Sequence, residues 1–197
     1  NAALKQNFVR RLVRGRFASV AEVEESFADF GIVPYSPYYA VFIVYVEGSP
    51  ASASDHHAGH RLASFIVASA IEAIIERRHR GLVTEVDDML ACVVNLRLLA
   101  ATEWNRDIDT IVDESRRQLA EGFGLDSTVG VSTIHGDLAS VPECYQEALD
   151  ALEHNIATMA ARWPGTTLRP HAKCFKSTVF GSWLADAGHT AFCCATI

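Results

Sequence analysis

Residues Tyr38 to Glu47, YYAVFIVYVE, place a β-branched or aromatic side chain at nearly every position. A half-solvated strand alternates with period 2 and an amphipathic helix repeats near 3.6, and this run does neither. It reads as a central strand covered on both faces or nearly so. A chain built around such a strand needs flanking strands and a layer of helices to hide it, and the rest of the sequence supplies both.

After a Ser-, Pro- and Ala-rich loop (Gly48 to Ser54), the spacing predicts a helix of about twenty residues. It turns Leu62, Phe65, Ile66, Ser69, Ile71, Ile74 and Ile75 inward and ends in a solvated basic turn, Arg77-Arg78-His79-Arg80, before Gly81. Two short strands, Leu82 to Glu85 and Met89 to Leu96, flank Val86-Asp87-Asp88 as a hairpin. A helix over Trp104 to Glu121 carries Ile108, Ile111, Val112, Ser115 and Leu119, and Gly122 and Gly124 break it.

The run Asp126 to Arg162 then holds a strand, a turn and a long helix. Thr128 to Val131 is the strand, His135-Gly136-Asp137 the turn, and Ser140 the N-cap, with Glu143 completing a capping box and Pro142 in the first turn. Tyr145, Ala148, Leu149, Leu152, Ile156 and Met159 form one apolar stripe. The order from Tyr38 is β-α-β-β-α-β plus a final helix. That is the α+β, ferredoxin-like order, with antiparallel pairing and helices on one face.

Upstream, Leu4 to Arg14 is a basic amphipathic helix with Leu4, Phe8, Val9 and Leu12 on one side, expected to pack on the domain. Ser19 with Glu22 opens a second helix that Gly31 ends. Downstream of Trp163-Pro164-Gly165, Thr166 to Lys173, Ser177 to Ala187 and Thr190 to Thr196 read as a short C-terminal β-α-β tail, which wants a parallel sheet and does not continue the first domain. The division is therefore 1–36 as N-terminal helices, 37–162 as the main domain and 163–197 as the tail. The helix after Ser140 is a seam between two patterns.

With 197 residues, 49% hydrophobic and 21% charged, the chain can bury one core, or one core and a small appendage. A net charge of −7 argues against nucleic-acid binding by this chain. The five cysteines, Cys92, Cys144, Cys174, Cys193 and Cys194, are odd in number and form no C-x-x-C pair, as expected of free thiols in a reducing cytosol. No apolar run has the length of a membrane span and the N-terminus lacks a secretory pattern, so a cytoplasmic location without membrane attachment is expected. The chain begins at Asn1 without Met and stops at Ile197 inside an apolar run, so both ends look cut.

YYAVFIVYVE, GLVTEVDDMLACVVNL and above all TVGVSTIHGDLASVPECYQEALDALEH resemble the degenerate GGDEF-like domain of bacterial transcription regulators of the AraC and PucR/CdaR kinds, over about residues 8–154. The resemblance implies a regulatory or sensory domain that relays a signal or self-associates, with an unidentified small-molecule effector and a DNA-binding module elsewhere. It also implies a fold shared with diguanylate cyclases, whose chemistry needs Mg²⁺ on carboxylates at a strand end and a Gly-Gly turn close to the nucleotide. Here the acidic pair of the first strand stands as Tyr45 and Glu47, and the signature as Glu85-Val86-Asp87-Asp88-Met89. Glu47 and Asp88 remain as carboxylates there, but solvated side chains at a hairpin are the better reading, and no metal site is assigned. His56 and His60 share a helix face without a third ligand nearby, and read as an exposed helix start.

ALDALEHNIATMAARWPGTTLRPHAKCFKSTVFGSWLADAGHTAFCCATI, the last fifty residues, resembles the N-terminal part of D-threonine aldolase and related alanine-racemase-like pyridoxal-phosphate enzymes. That resemblance implies Lys173 as a Schiff-base lysine, with Arg169 and His171 beside the cofactor. The family usually continues Thr-His-Lys where this chain has Cys174-Phe175-Lys176. A whole β/α barrel takes about 250 residues, so a fragment or a fusion is the form this alternative takes. The leading expectation is a non-catalytic regulatory domain without a cofactor.

Overall fold

The computed structural model describes residues 2–47, 58–98 and 103–162, with positions 182, 185 and 186 beyond them. Two helices, α1 (Ala2–Val13) and α2 (Val20–Asp29), precede strand β1 (Tyr39–Glu47). Helix α3 (Ala58–Glu76), the hairpin β2 (Arg80–Val86) and β3 (Met89–Asn95), helix α4 (Trp104–Arg117), strand β4 (Asp126–Val131) and helix α5 (Val141–Arg162) follow. The sheet order is β2-β3-β1-β4, antiparallel throughout. The α+β class and the ferredoxin-like strand order both stand. The β-α-β expected over 163–197 lies outside the described residues, as do Cys174, Cys193 and Cys194.

Every residue of β1 from Tyr39 to Tyr45 is buried, as its aperiodic apolar run required. Ala40, Phe42 and Val44 face α3 and α4, whereas Tyr39, Val41, Ile43 and Tyr45 face α1, α2 and α5. Helices thus cover both faces, which corrects the expectation of one. The second layer exists because the stripes of α1 (Phe8, Val9, Leu12, Val13) and α5 (Tyr145, Ala148, Leu152, Ile156) need burial, and the bare side of the sheet offers it. Leu152 and Ile156 therefore pack on the main sheet; the side chain of Met159 lies outside the described residues. Leu4 stays 65% exposed, so the apolar face of α1 starts at Phe8. Phe8 stacks against Phe17, Phe27 and Phe30 at centroid separations of 5.4–5.5 Å, joining α1 to α2 in the same core.

Local signals account for most helix ends. Ser19 Oγ accepts from Glu22 N–H, and Glu22 reaches back to Ala18 N–H, one residue beyond a standard capping box. Gly31 follows at φ +65°. The cap of the α5 region is different from the expected one. Asp137 accepts from Ala139 N–H and opens a 3₁₀ turn over Leu138–Ser140, while the Ser140 hydroxyl donates to Asp137 O. Beyond Arg117, α4 widens into a π turn over Gln118–Gly122, where Leu119 is buried.

The inward stripe of α3 is Val67, Ala68, Ile71, Ile74 and Ile75. Phe65 and Ile66 are exposed, and so is Ser69, contrary to the stripe read from spacing. Leu62 lies outside the described side chains. The basic turn after α3 is not simply solvated either. Arg77 and Arg78 reach Glu114 on α4, Arg78 also approaches Asp107, and Arg80 lies over the Tyr35 ring. His79 is fully buried between them. Its Nδ1 accepts from Arg97 N–H (3.1 Å), which leaves its hydrogen on Nε2, 3.2 Å from Asp107 Oδ2.

Burial lowers the His79 pKa below its ordinary 6.5; Asp107 opposes this, and Arg97 and Arg78 add to it. The folded state thus prefers neutral His79. Its contribution to stability is complete above the ordinary value, declines as pH falls below 6.5 and is lost once pH passes the folded-state value. Urea melts between pH 7.5 and 5 should show this decline, and His79→Gln should flatten it.

Both sheet edges are tied to side chains. On β2, the outward amides of Gly81 and Val83 donate to Glu76 Oε1 (2.8 Å) and Glu72 Oε2 (3.4 Å) of α3, and Arg10 Nε donates to Glu85 O (3.1 Å). On β4, Asn155 Nδ2 donates to Val129 O (2.9 Å). Gly130 lies directly under α5, where an added Cβ would sit 2.5 Å from Leu152 N.

Candidate functional site

One end of the sheet gathers the C-terminal end of β1, the β2–β3 turn and the first residue of β4, with Val44 opposite Leu90 and Glu47 opposite Asp126. The turn itself is Asp87-Asp88, closed by the Val86–Met89 pair, with both aspartates at positive φ (50° and 61°). Two residues in that conformation match the twist of a tight hairpin, and Asp tolerates it better than most side chains. The positions that demand left-handed backbone are therefore Asp87 and Asp88, whereas Glu85 and Val86 are ordinary paired strand residues. Glu85 and Val86 thus stand beside the tip of the turn and not in it.

Other contacts close the site instead. Arg14, just past α1, donates from Nη2 to Asp87 Oδ1 at 2.6 Å, and Arg10 holds the carbonyl of Glu85. Glu85 Oε2 accepts from Ser64 Oγ of α3. Tyr45, in the place of a first-strand carboxylate, is 1% exposed and buried against α1 and α5. Three of the positions that the resemblance to cyclases would give to a magnesium–nucleotide complex, Asp87, Glu85 and Tyr45, are committed to other contacts. One carboxylate is paired with a guanidinium, another is turned onto a helix hydroxyl, and a phenol fills a ligand position. The side chains of Glu47, His56, His57 and His60 lie outside the described residues, as do Arg169, His171 and Lys173.

A second cluster forms at the opposite end of β1. His135 N–H donates to Tyr39 O (2.9 Å) and Tyr39 N–H donates to His135 O (2.8 Å), which pins the β4–α5 connection to the first residue of β1. From there His135 Nε2 meets Glu147 Oε1 at 2.9 Å, and its Nδ1 lies 3.8 Å from Glu143 Oε2. Glu147 Oε2 accepts from both the amide (2.9 Å) and the hydroxyl (2.7 Å) of Thr133. Burial pushes the Glu147 carboxyl up, but the Thr133 hydrogen bonds and His135 outweigh it and hold the pKa below the ordinary 4.5. Local sequence makes His135 a turn residue and Glu143 part of a capping box. The available signal was Thr133-x-His135 followed by glutamates four apart on one helix face.

The family model of the GGDEF-like domain matches residues 14–154 of the chain. The chain belongs to the GGDEF-like domain family. No curated protein matches it. The matched span begins just after α1, yet α1 contributes Phe8, Val9, Leu12 and Val13 to the core of this GGDEF-like domain and sends Arg10 to its hairpin, beside Arg14 at the first matched position. No helix among the described residues is long and apolar enough to cross a membrane.

Proposed function

We propose that this GGDEF-like domain is a non-catalytic regulatory module, a signal-relay domain of a bacterial transcription regulator whose DNA-binding part lies outside this chain. The observation that carries the reading is the strap of α1 across the β2–β3 hairpin, through Arg14–Asp87 and Arg10–Glu85 O. A catalytic hairpin must stay open to nucleotide and metal, and this one is held by a preceding helix.

The same strap suits a relay. Lys5 on α1 pairs with Glu72 of α3 at 2.6 Å, and Thr84 of β2 donates to the Gln6 carbonyl, so a displacement of α1 reaches both the hairpin and the first crossover helix. A groove of about 390 Å³ between α1 and α3, lined by Lys5, Gln6, Phe65, Ser69 and Glu72, falls within the size range of small-molecule sites and gives an effector a place next to that coupling.

Incubation with GTP and Mg²⁺ tests the reading. No pyrophosphate release above background is expected, and no DNA binding by this chain at physiological salt. Pyrophosphate release that Asp88→Asn abolishes would overturn it.

A further inference from the structure

We propose that His135, Glu143 and Glu147 form a binding site for a divalent transition-metal ion of the zinc type. One donor atom from each residue lies within 4.8 Å of the others, and donors in a tetrahedral zinc shell sit about 3.4 Å apart. Glu147 faces Nε2 at 2.9 Å and Glu143 faces Nδ1 at 3.8 Å, so an ion held by one of these nitrogens needs the imidazole to turn and the His135–Glu147 hydrogen bond to open, and the exposed Glu143 side chain has room to follow.

Three features distinguish the cluster from an incidental ion pair. His135 is fixed by two main-chain hydrogen bonds to Tyr39, so the ligand sits on the rim of the sheet. Glu143 and Glu147 project from successive turns of α5. Thr133 grips one oxygen of Glu147 through two donors and leaves the other aimed at the imidazole, the kind of outer-shell support that orients a metal-binding carboxylate. Two carboxylates and a neutral imidazole balance the charge of a divalent ion. One nitrogen and two carboxylates suit zinc, cobalt or nickel better than calcium or magnesium, which want six or more oxygens. The fourth position would be water. Such an ion would staple the β4–α5 connection to the start of β1, at the end of that strand remote from the α1 strap.

The test uses the full chain, freed of metal with chelator and titrated with zinc by calorimetry, with Co²⁺ as a spectroscopic probe. One equivalent is expected to bind in the micromolar range, raise the melting temperature and give the visible absorption of a low-symmetry cobalt site. Glu143→Gln removes an exposed carboxylate without touching the Thr133–Glu147–His135 bonds, and should weaken binding about tenfold or more. His135→Ala should abolish it, and Ala at His56, His57 and His60 together should leave it intact. Failure to bind zinc at micromolar concentration overturns the proposal. So does unchanged affinity in Glu143→Gln, or loss of binding in the His56/His57/His60 variant.

Discussion

Replacing Gly130 by alanine is expected to destabilise the domain by about 3 kcal/mol or more, at the upper end of what overpacking costs. The reason is backbone against backbone. The added methyl would lie 2.5 Å from Leu152 N and closer still to Ala148 O, and neither can swing aside as a side-chain tip would. Either α5 lifts from β4 or the strand leaves β1. Both routes disturb the core on the α5 side, where Ala148 and Leu152 are fully buried. Chemical denaturation should show a lower midpoint, and Gly130→Ser should do no better. A wild-type midpoint would mean that α5 does not cross β4 this closely.

Leu152→Ala is the second large effect, with an expected loss of 2–5 kcal/mol, roughly the range for truncating a buried leucine. Leu152 is fully buried, and its neighbours in the core include Ile43 and Tyr45 of β1. The substitution also decides ownership of the seam helix. If the second half of α5 belonged to a separate tail, a change at Leu152 would leave the main unfolding transition unmoved. Packed as it is on the sheet, the truncation should shift that transition as a whole, with the same midpoint by fluorescence and by circular dichroism.

What the sequence revealed depended on whether the signal was local. The aperiodic run of β1 announced its two-sided burial, and Ser19, Gly31 and the α5 stripe announced elements whose determinants lie within a few residues. Around α3 the signal was ambiguous for a physical reason. Phe65, Ile66, Val67 and Ala68 make that helix apolar on several faces, so spacing alone does not say which stripe meets the sheet; the position of β2 and β3 decides, and leaves Phe65 and Ile66 outside. The turn Arg77 to Arg80 reads as solvated charge because its partners, Asp107 and Glu114, lie about thirty residues on. The His135 cluster was hidden in the same way, since the chain folds His135 back onto Tyr39, ninety-six positions earlier in the sequence. The strap on the hairpin joins Arg14 to Asp87, and no periodicity links two such residues.

The side chains that tie the sheet edges limit how two copies of this molecule can meet. A strand from a neighbour would have to compete with Glu76 and Glu72 for the amides of Gly81 and Val83, and with Asn155 for the carbonyl of Val129. Each replacement breaks an existing bond, to half-buried Glu72 and Glu76 on one edge and to exposed Asn155 on the other, before the incoming strand gains one, which opposes edge-to-edge growth of the sheet. The exposed apolar side chains Phe65 and Ile66 stand on a helix and away from these edges, and the sheet is guarded against the runaway pairing from which fibrils grow.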